Sequence, residues 1–457
     1  MWRMAMMAGA AFVAVPAQAQ VVAAYTVMAP GGGAVARVVT GADVCPVASI
    51  DGRDVPMAER VAPGTLPLRK NAAKLGADHL AVFASRVCEV AVPQGARAVR
   101  VGGQALPVVP AEVRRIVVLG DTGCRMKSAD NAFQACRDAA AWPFARIARA
   151  AAAVHPDLIL HVGDYEYREN ACPEGNAGCA GSPFGYGEDA WRADWLEPGA
   201  PLFAAAPLVV VRGNHEECAR AGQGWWRFLD PHPLVAGADC VDAAQDFAGN
   251  HTAPYAVEIG GPGRGQGARV IVVDFSAIGN GKPLDDADKA ARYAGDARAI
   301  EALATPGETN FVTNHQPFGA VLHFDGEAAQ VGYASVSQAF AAADGAPAEA
   351  AGGMPPLPHV AAMIAGHVHL LQVAHEKDRA VQIVNGFSGT QEESPQAPAT
   401  RADLAGVPGG ERVESVETRF QQFGFGVLER QKDGSWVYSA RDVDGREILH
   451  SVVPKRD

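Results

Sequence analysis

Apolar residues in this chain gather in short runs that end at glycine or polar positions. Ile116-Val117-Val118-Leu119, Leu158-Ile159-Leu160-His161-Val162 and Leu208 to Val211 are such runs, as are Val270 to Val273, Phe311-Val312, Ala361 to Ile364 and Val381 to Val384. Short, unbroken apolar runs bounded by turn residues predict strands buried on both faces. Residues 138–153 are Ala-rich and predict a helix, and Asp189 to Leu196 predicts another. Strands alternating with helices predict an α/β layer fold over residues 113–457. Phe423 to Leu428 and Trp436 to Ala440 flank Lys432-Asp433-Gly434 and predict a closing hairpin.

The texture differs before residue 113. Val35 to Val39, Leu80 to Phe83, Cys88 to Val92 and Ala98 to Val101 are strand-like and punctuated by Gly and Pro. Residues 20–112 therefore predict a small β-sandwich-like module, with the polar, Pro-rich stretch from Asp51 to Lys74 as loop. Arg3, the apolar stretch Met4 to Val15 and Ala17-Gln18-Ala19 have the order of an export signal over residues 1–19. That stretch is shorter than the ~20 residues needed to cross a bilayer. The glycine-rich segment Gly261 to Gly267 precedes a strand instead of following one, so it reads as a hairpin loop and not as a phosphate cradle. Residues 341–358 and 388–411 read as loops, the second as mobile.

Composition narrows the class. The chain has 457 residues, 48% of them apolar, and a formal net charge of −12. A chain this acidic is not expected to bind nucleic acid or an anionic membrane. To act on an anion it must bring local positive charge, and bound metal ions supply it. Eight cysteines, none in a Cys-x-x-Cys pair, suit disulfides in an oxidising compartment. Neighbourhood in sequence suggests Cys45 with Cys88, Cys124 with Cys136, Cys172 with Cys179 and Cys218 with Cys240, although sequence alone leaves connectivity open. The expectation is a soluble protein, periplasmic or secreted.

Five motifs sit at or just past the apolar runs: Gly120-Asp121-Thr122-Gly123, Gly163-Asp164-Tyr165-Glu166-Tyr167, Gly213-Asn214-His215-Glu216, Val312-Thr313-Asn314-His315 and Gly366-His367-Val368-His369. Each alone is common. Together they bring carboxylates, an amide, a phenol and imidazoles to loops along one sheet edge, where α/β folds build their sites. The set resembles the binuclear metallophosphoesterases of the calcineurin-like type. It is most similar to the purple acid phosphatase pattern GDxG, GDxxY, GNH(D/E), VxxH, GHxH, over about residues 114–390.

That resemblance implies an αββα sandwich, two metal ions and hydrolysis of a small phosphate-ester substrate. Asp121, Asp164, Tyr167 and His369 form a hard donor set suited to Fe(III). Asp164, Asn214, His315 and His367 form a softer set suited to divalent Fe, Zn or Mn. Asp164 belongs to both because a carboxylate can bridge two ions. The implied reaction is attack of a metal-bound hydroxide on the phosphorus of a phosphomonoester. His215 is the candidate proton donor to the leaving group, with Glu216 as its orienter; alternatively His215 only hydrogen-bonds near the ligands. His323, soon after His315, is a candidate substrate-facing residue. Tyr167 would take the place of an imidazole that many relatives carry where Gly123 stands; alternatively it is a buried aromatic with its hydroxyl on a carbonyl. His161, inside a strand, reads as a core residue. Two other functions stay open: the same site acting on phosphodiesters or nucleotides, and a metal-stabilised binding protein without turnover. Oligomeric state is not legible.

Overall fold

The computed structural model describes residues 21–66, 70–76, 79–260, 267–279, 284–322, 329–345, 353–392 and 404–456. The expected export segment, His323 and residues 261–266 lie outside them. Two large sheets share one core. In spatial order the first runs Glu447–Val453, Trp436–Asp442, Gly424–Arg430, Arg115–Leu119, Leu158–His161, Leu208–Val210, Val21–Met28, Ala34–Thr40, Arg86–Val92 and Ala58–Val61. The second runs Tyr255–Glu258, Ala268–Val272, Thr309–Thr313, Val360–Ala365, Val381–Asn385, Leu371–Glu376 and Val413–Arg419.

Side-chain alternation explains the layers. Ile116, Val118, Leu158 and Leu160 of the first sheet pack with Val270, Phe311 and Ile383 of the second. Their neighbours Val117, Leu119 and Ile159 point the other way, onto Phe144, Ile147 and Leu202 of the helices Phe144–Ala153 and Ala200–Ala205. On the far side, Ile271, Val312 and Met363 pack with Tyr293 and Ile300 of the helix Ala287–Leu303 and with Val336 of Ala334–Ala343. Strands buried on both faces thus produce the expected αββα sandwich.

The helix expected over 138–153 begins only at Phe144, because Pro143 supplies no N–H and sits at its start. The 17-residue helix Ala287–Leu303 gave no clear sequence signal: its buried face is Tyr293, Ala294, Asp296, Ala297 and Ile300, with alanine where a stripe would show. Asp286 caps it, accepting from the Lys289 N–H at 2.9 Å.

The N-terminal region is all-β, as expected, and part of it continues the first sheet. Val21–Met28 lies parallel to Leu208–Val210, with Val27 opposite Leu208, and antiparallel to Ala34–Thr40. The stretch expected as loop between Asp51 and Lys74 instead contains Arg53–Pro56, Ala58–Val61 and Gly64–Leu66. These short strands are largely exposed, so they carry no clear apolar alternation. At the other end the expected hairpin forms between Gly424–Arg430 and Trp436–Asp442, and Glu447–Val453 adds a third strand. All four disulfides pair as expected: Cys45–Cys88, Cys124–Cys136, Cys172–Cys179 and Cys218–Cys240. Among the described residues no helix is long and apolar enough to cross a membrane.

Candidate metal centre

Arg115–Leu119, Leu158–His161 and Leu208–Val210 run parallel in one sheet. Thr309–Thr313 and Val360–Ala365 run parallel in the other. Their carboxyl ends deliver Asp121, Asp164, Asn214, His315 and His367 to the same edge of the sandwich. Asp121, Asp164 and His367 turn sharply there, with φ of 55°, 58° and 71°. Left-handed conformation is uncommon for residues with a side chain and costs about 1 kcal/mol or more each, so three in one cluster mark an imposed arrangement. Close approach also decides the motif glycines. A Cβ on Gly213 would fall 2.0 Å from Asp164 Oδ1.

Asp164 is the centre of the cluster. Its Oδ2 accepts from the Tyr167 hydroxyl at 2.6 Å and lies 3.1 Å from His315 Nε2. The Tyr167 oxygen is also 2.8 Å from His369 Nε2 and 3.1 Å from Asp121 Oδ1. Asn214 Oδ1 stands 3.0 Å from His315 Nε2 and 2.8 Å from His367 Nδ1. Two groups therefore share one residue: Asp121, Asp164 and His369, and Asp164, His315 and His367, each with donor atoms within 4.8 Å of one another. The Tyr167 hydroxyl faces these groups and not a backbone carbonyl. Gly123 explains why no imidazole could occupy its position: a Cβ there would fall 2.8 Å from Asp194 Oδ2, the Tyr165 carbonyl and the Tyr167 nitrogen.

The protons of the donor set decide whether it fits cations. His315 Nδ1 lies 2.8 Å from the Val162 carbonyl and His369 Nδ1 lies 2.9 Å from the Gln391 carbonyl. A carbonyl only accepts, so both Nδ1 atoms carry hydrogen, and each ring offers a lone pair at Nε2 inward once that nitrogen gives up its proton. Lone pairs of His315, Asp164 and Asn214 then converge with nothing between them but a proton or a metal. Burial alone would lower the His315 pKa, but the Asp164 carboxylate overrides it and raises the ring to about 9. Burial likewise opposes ionisation of Asp164, yet His315 and His215 hold its carboxyl well below the usual range. Burial, then Asp164 and Asp121, push the Tyr167 phenol upward. A bound trivalent cation reverses that sign. The residues fit a pair of cations.

His215 lies over the Tyr167 ring, with centroids 3.8 Å apart, and its backbone N–H donates to Asp164 Oδ1 at 2.9 Å. Glu216 is not its orienter. The Glu216 carboxylate faces the other way and accepts backbone N–H groups of Gly213, Asp164, Tyr165 and Glu166 at 2.8–3.2 Å. A helical turn over Asn214–Glu216 sends adjacent side chains in different directions, so adjacency in sequence misled. Burial, then the Asp164 charge, lift the Glu216 pKa to about 8. The carboxylate beside His215 is Glu169, with Oε1 2.9 Å from Nδ1, an ion pair when the ring is protonated. Burial would raise Glu169, but His215 and Arg220 hold it at about 2. Burial pulls His215 below its ordinary value.

Sequence reasoning missed Glu169, although it stands two positions after Tyr167 in the same motif loop. It also took residues 388–411 as mobile. Their described part up to Glu392 is largely buried and binds the first motif: Thr390 donates its N–H to the Asp121 carbonyl at 2.9 Å and its hydroxyl to the Gly123 carbonyl at 2.6 Å. Instead of a mobile loop, Ser388 to Thr390 form a close-fitting strap on that motif. His161 is a core residue as expected, stacked on Tyr165 with centroids 3.8 Å apart.

A family model, calcineurin-like phosphoesterase, matches residues 114–371. No curated protein sequence matches the chain. Among solved structures, the purple acid phosphatase PPD1 from yellow lupin (Lupinus luteus) seeds is similar with a TM-score of 0.52 and 14% identity, over 95% of this chain and 74% of that one. PhoD is similar with a TM-score of 0.50 and 11% identity, over 94% of this chain and 88% of that one. At such identities the likeness is one of fold.

Proposed function

Because this chain belongs to the calcineurin-like phosphoesterase family, we propose that it is an exported phosphatase that hydrolyses small phosphomonoesters at a two-metal site. The observation that carries this reading is the convergence of Tyr167 and His315 on the single carboxylate of Asp164, with Asn214 Oδ1 facing the same His315 nitrogen. Asp121, Asp164, Tyr167 and His369 would hold a trivalent iron, and Asp164, Asn214, His315 and His367 a divalent Fe, Zn or Mn. When bound, such ions polarise the phosphoryl group and acidify water.

The chain's own residues do the rest. Asp164 ties the two donor sets together. His215 gives a proton to the departing alkoxide, and Glu169 at its Nδ1 leaves Nε2 as the transferring nitrogen. Burial lowers the His215 pKa, so its acid form grows toward low pH, which favours an acid phosphatase. A purple acid phosphatase with the same fold supports the monoester reading. Four disulfides support an oxidising destination, and the net charge of −12 supports a small anion over nucleic acid as substrate.

The test compares p-nitrophenyl phosphate with its bis ester on chelated and metal-restored protein. Monoester turnover that is lost on chelation and regained with metal is expected. A preference for the bis ester would replace the monoester reading, and binding without turnover would leave a metal-stabilised binding protein. Iron-loaded protein should show a visible charge-transfer band that Tyr167→Phe abolishes while the far-ultraviolet dichroism persists. A band unchanged by that substitution would remove Tyr167 from the donor set.

A further inference from the structure

The N-terminal strands hold no donor of the metal centre, yet they contain buried charges aimed at one segment of the catalytic fold. Arg37 is fully buried. It donates to the Phe228 carbonyl at 2.9 Å and to the Asp230 carbonyl at 3.0 Å, with its charge met by Glu89 at 2.8 Å. Arg60 donates to the Trp226 carbonyl at 2.9 Å and the His232 carbonyl at 2.8 Å. The Tyr25 hydroxyl adds a second bond to the Phe228 carbonyl at 2.6 Å. Alternate carbonyls from Trp226 to His232 are thus taken up by side chains of three N-terminal strands. They lie at or just past the end of the helical segment Gly222–Leu229, where carbonyls lack helical partners and cations are favoured.

That segment leads back to the site. Asp230 N–H bonds the Trp225 carbonyl, Trp225 N–H bonds the Ala221 carbonyl, and Ala221 N–H bonds the His215 carbonyl, at 3.1, 3.1 and 3.0 Å. Trp225 also packs toward Tyr165 in the Asp164 turn, with ring centroids 6.1 Å apart. A buried guanidinium pair with no contact to the donors is an expensive way to stabilise a fold. As a rigid support for His215 it has a use.

We infer that the N-terminal strands are a strut that positions His215 through Gly222–Leu229, with Arg37 and Arg60 as its positioning residues. The inference rests on the reading of His215 as proton donor, and it names a role for the N-terminal region in the same reaction.

The test is a double-mutant cycle on metal-loaded, full-length protein, reading kcat and KM for phenyl and p-nitrophenyl phosphate together with metal content and Tm. Arg37→Met is expected to lower kcat on phenyl phosphate roughly 10- to 100-fold, the scale of a small misplacement of a catalytic group. KM should stay within about twofold, since uniform binding is not touched, and both metals should be retained. Arg37→Lys should recover part of the loss. In the His215→Ala background the same Arg37→Met change should cost less than about twofold, because its route is already cut. A full-sized loss in that background would overturn the strut, as would wild-type turnover in a folded Arg37→Met protein. If Arg37→Met does not fold, Arg60→Lys takes its place in the cycle. A His215→Ala loss that ignores the leaving group would defeat the proton-donor reading while the cycle still judges the strut. A silent His215→Ala would defeat both.

Discussion

The ten-stranded sheet gives the candidate centre its oxygens, and the seven-stranded sheet gives it its nitrogens. Asp121, Asp164, Tyr167 and Asn214 all follow strands of the first, whereas His315, His367 and His369 follow strands of the second. The oxygens are held by backbone: Asp164 and Asp121 sit in left-handed turns, and four N–H groups clasp Glu216 beneath them. Two of the imidazoles, His315 and His369, are held by carbonyls that fix which nitrogen looks inward. Neither sheet alone offers a complete donor set. The centre is a seam, and it reports whether the two sheets are in register with each other.

The seam breaks most completely at Asp164, the one residue in both donor groups. Asp164→Ala should abolish turnover and release both ions, measured by elemental analysis after gel filtration; two metals per chain in that variant would show that Asp164 does not bridge. Next in size is His215, which belongs to the oxygen side but is not a donor. His215→Ala should keep the metals and slow turnover by roughly 10²–10⁴, with less loss on good leaving groups. Equal losses for phenyl and p-nitrophenyl phosphates would make it a substrate-positioning residue.

A smaller effect sharpens the comparison in the metal-free protein. There the seam is closed by a proton on His315, whose pKa of about 9 lies above the usual 6.5. A raised folded-state pKa stabilises fully below the unfolded value and is lost as pH rises through the folded one. Chelated protein should therefore lose stability from about pH 6.5 to 9, by roughly 3 kcal/mol at most. Metal-loaded protein should not lose this contribution, since the ion replaces the proton. A Tm of the chelated form that is flat over that range would mean His315 and Asp164 are not paired through a proton.

Much of this seam was legible because its chemistry is local. A strand end, a glycine and a donor lie within a few residues of each other, so Asp121, Asp164, Asn214, His315, His367 and His369 could be placed by pattern. The disulfides Cys124–Cys136 and Cys172–Cys179 span only 12 and 7 positions, and proximity was enough. What stayed hidden depends on direction or distance. The partner of His215 is Glu169 and not the adjacent Glu216, because a turn decides where each side chain points. Thr390 reaches the Gly123 carbonyl from 267 positions away, and no local pattern records that. The helix Ala287–Leu303 hid its buried face in alanine.

The pairing of the N-terminal strands with the catalytic sheet also bears on the order of folding. Tyr25 meets the Phe228 carbonyl across 203 positions, and Val27 lies beside Leu208. Val21–Met28, Ala34–Thr40 and Arg86–Val92 can associate early, since their pairings and the Cys45–Cys88 link are comparatively local. The other side of Val21–Met28 has no mate until residues 208–210 have emerged. A chain appearing from its amino end would present an open, apolar β-edge for that whole interval, and such an edge invites pairing with other chains. That exposure ends only when the single parallel contact between Val27 and Leu208 can form.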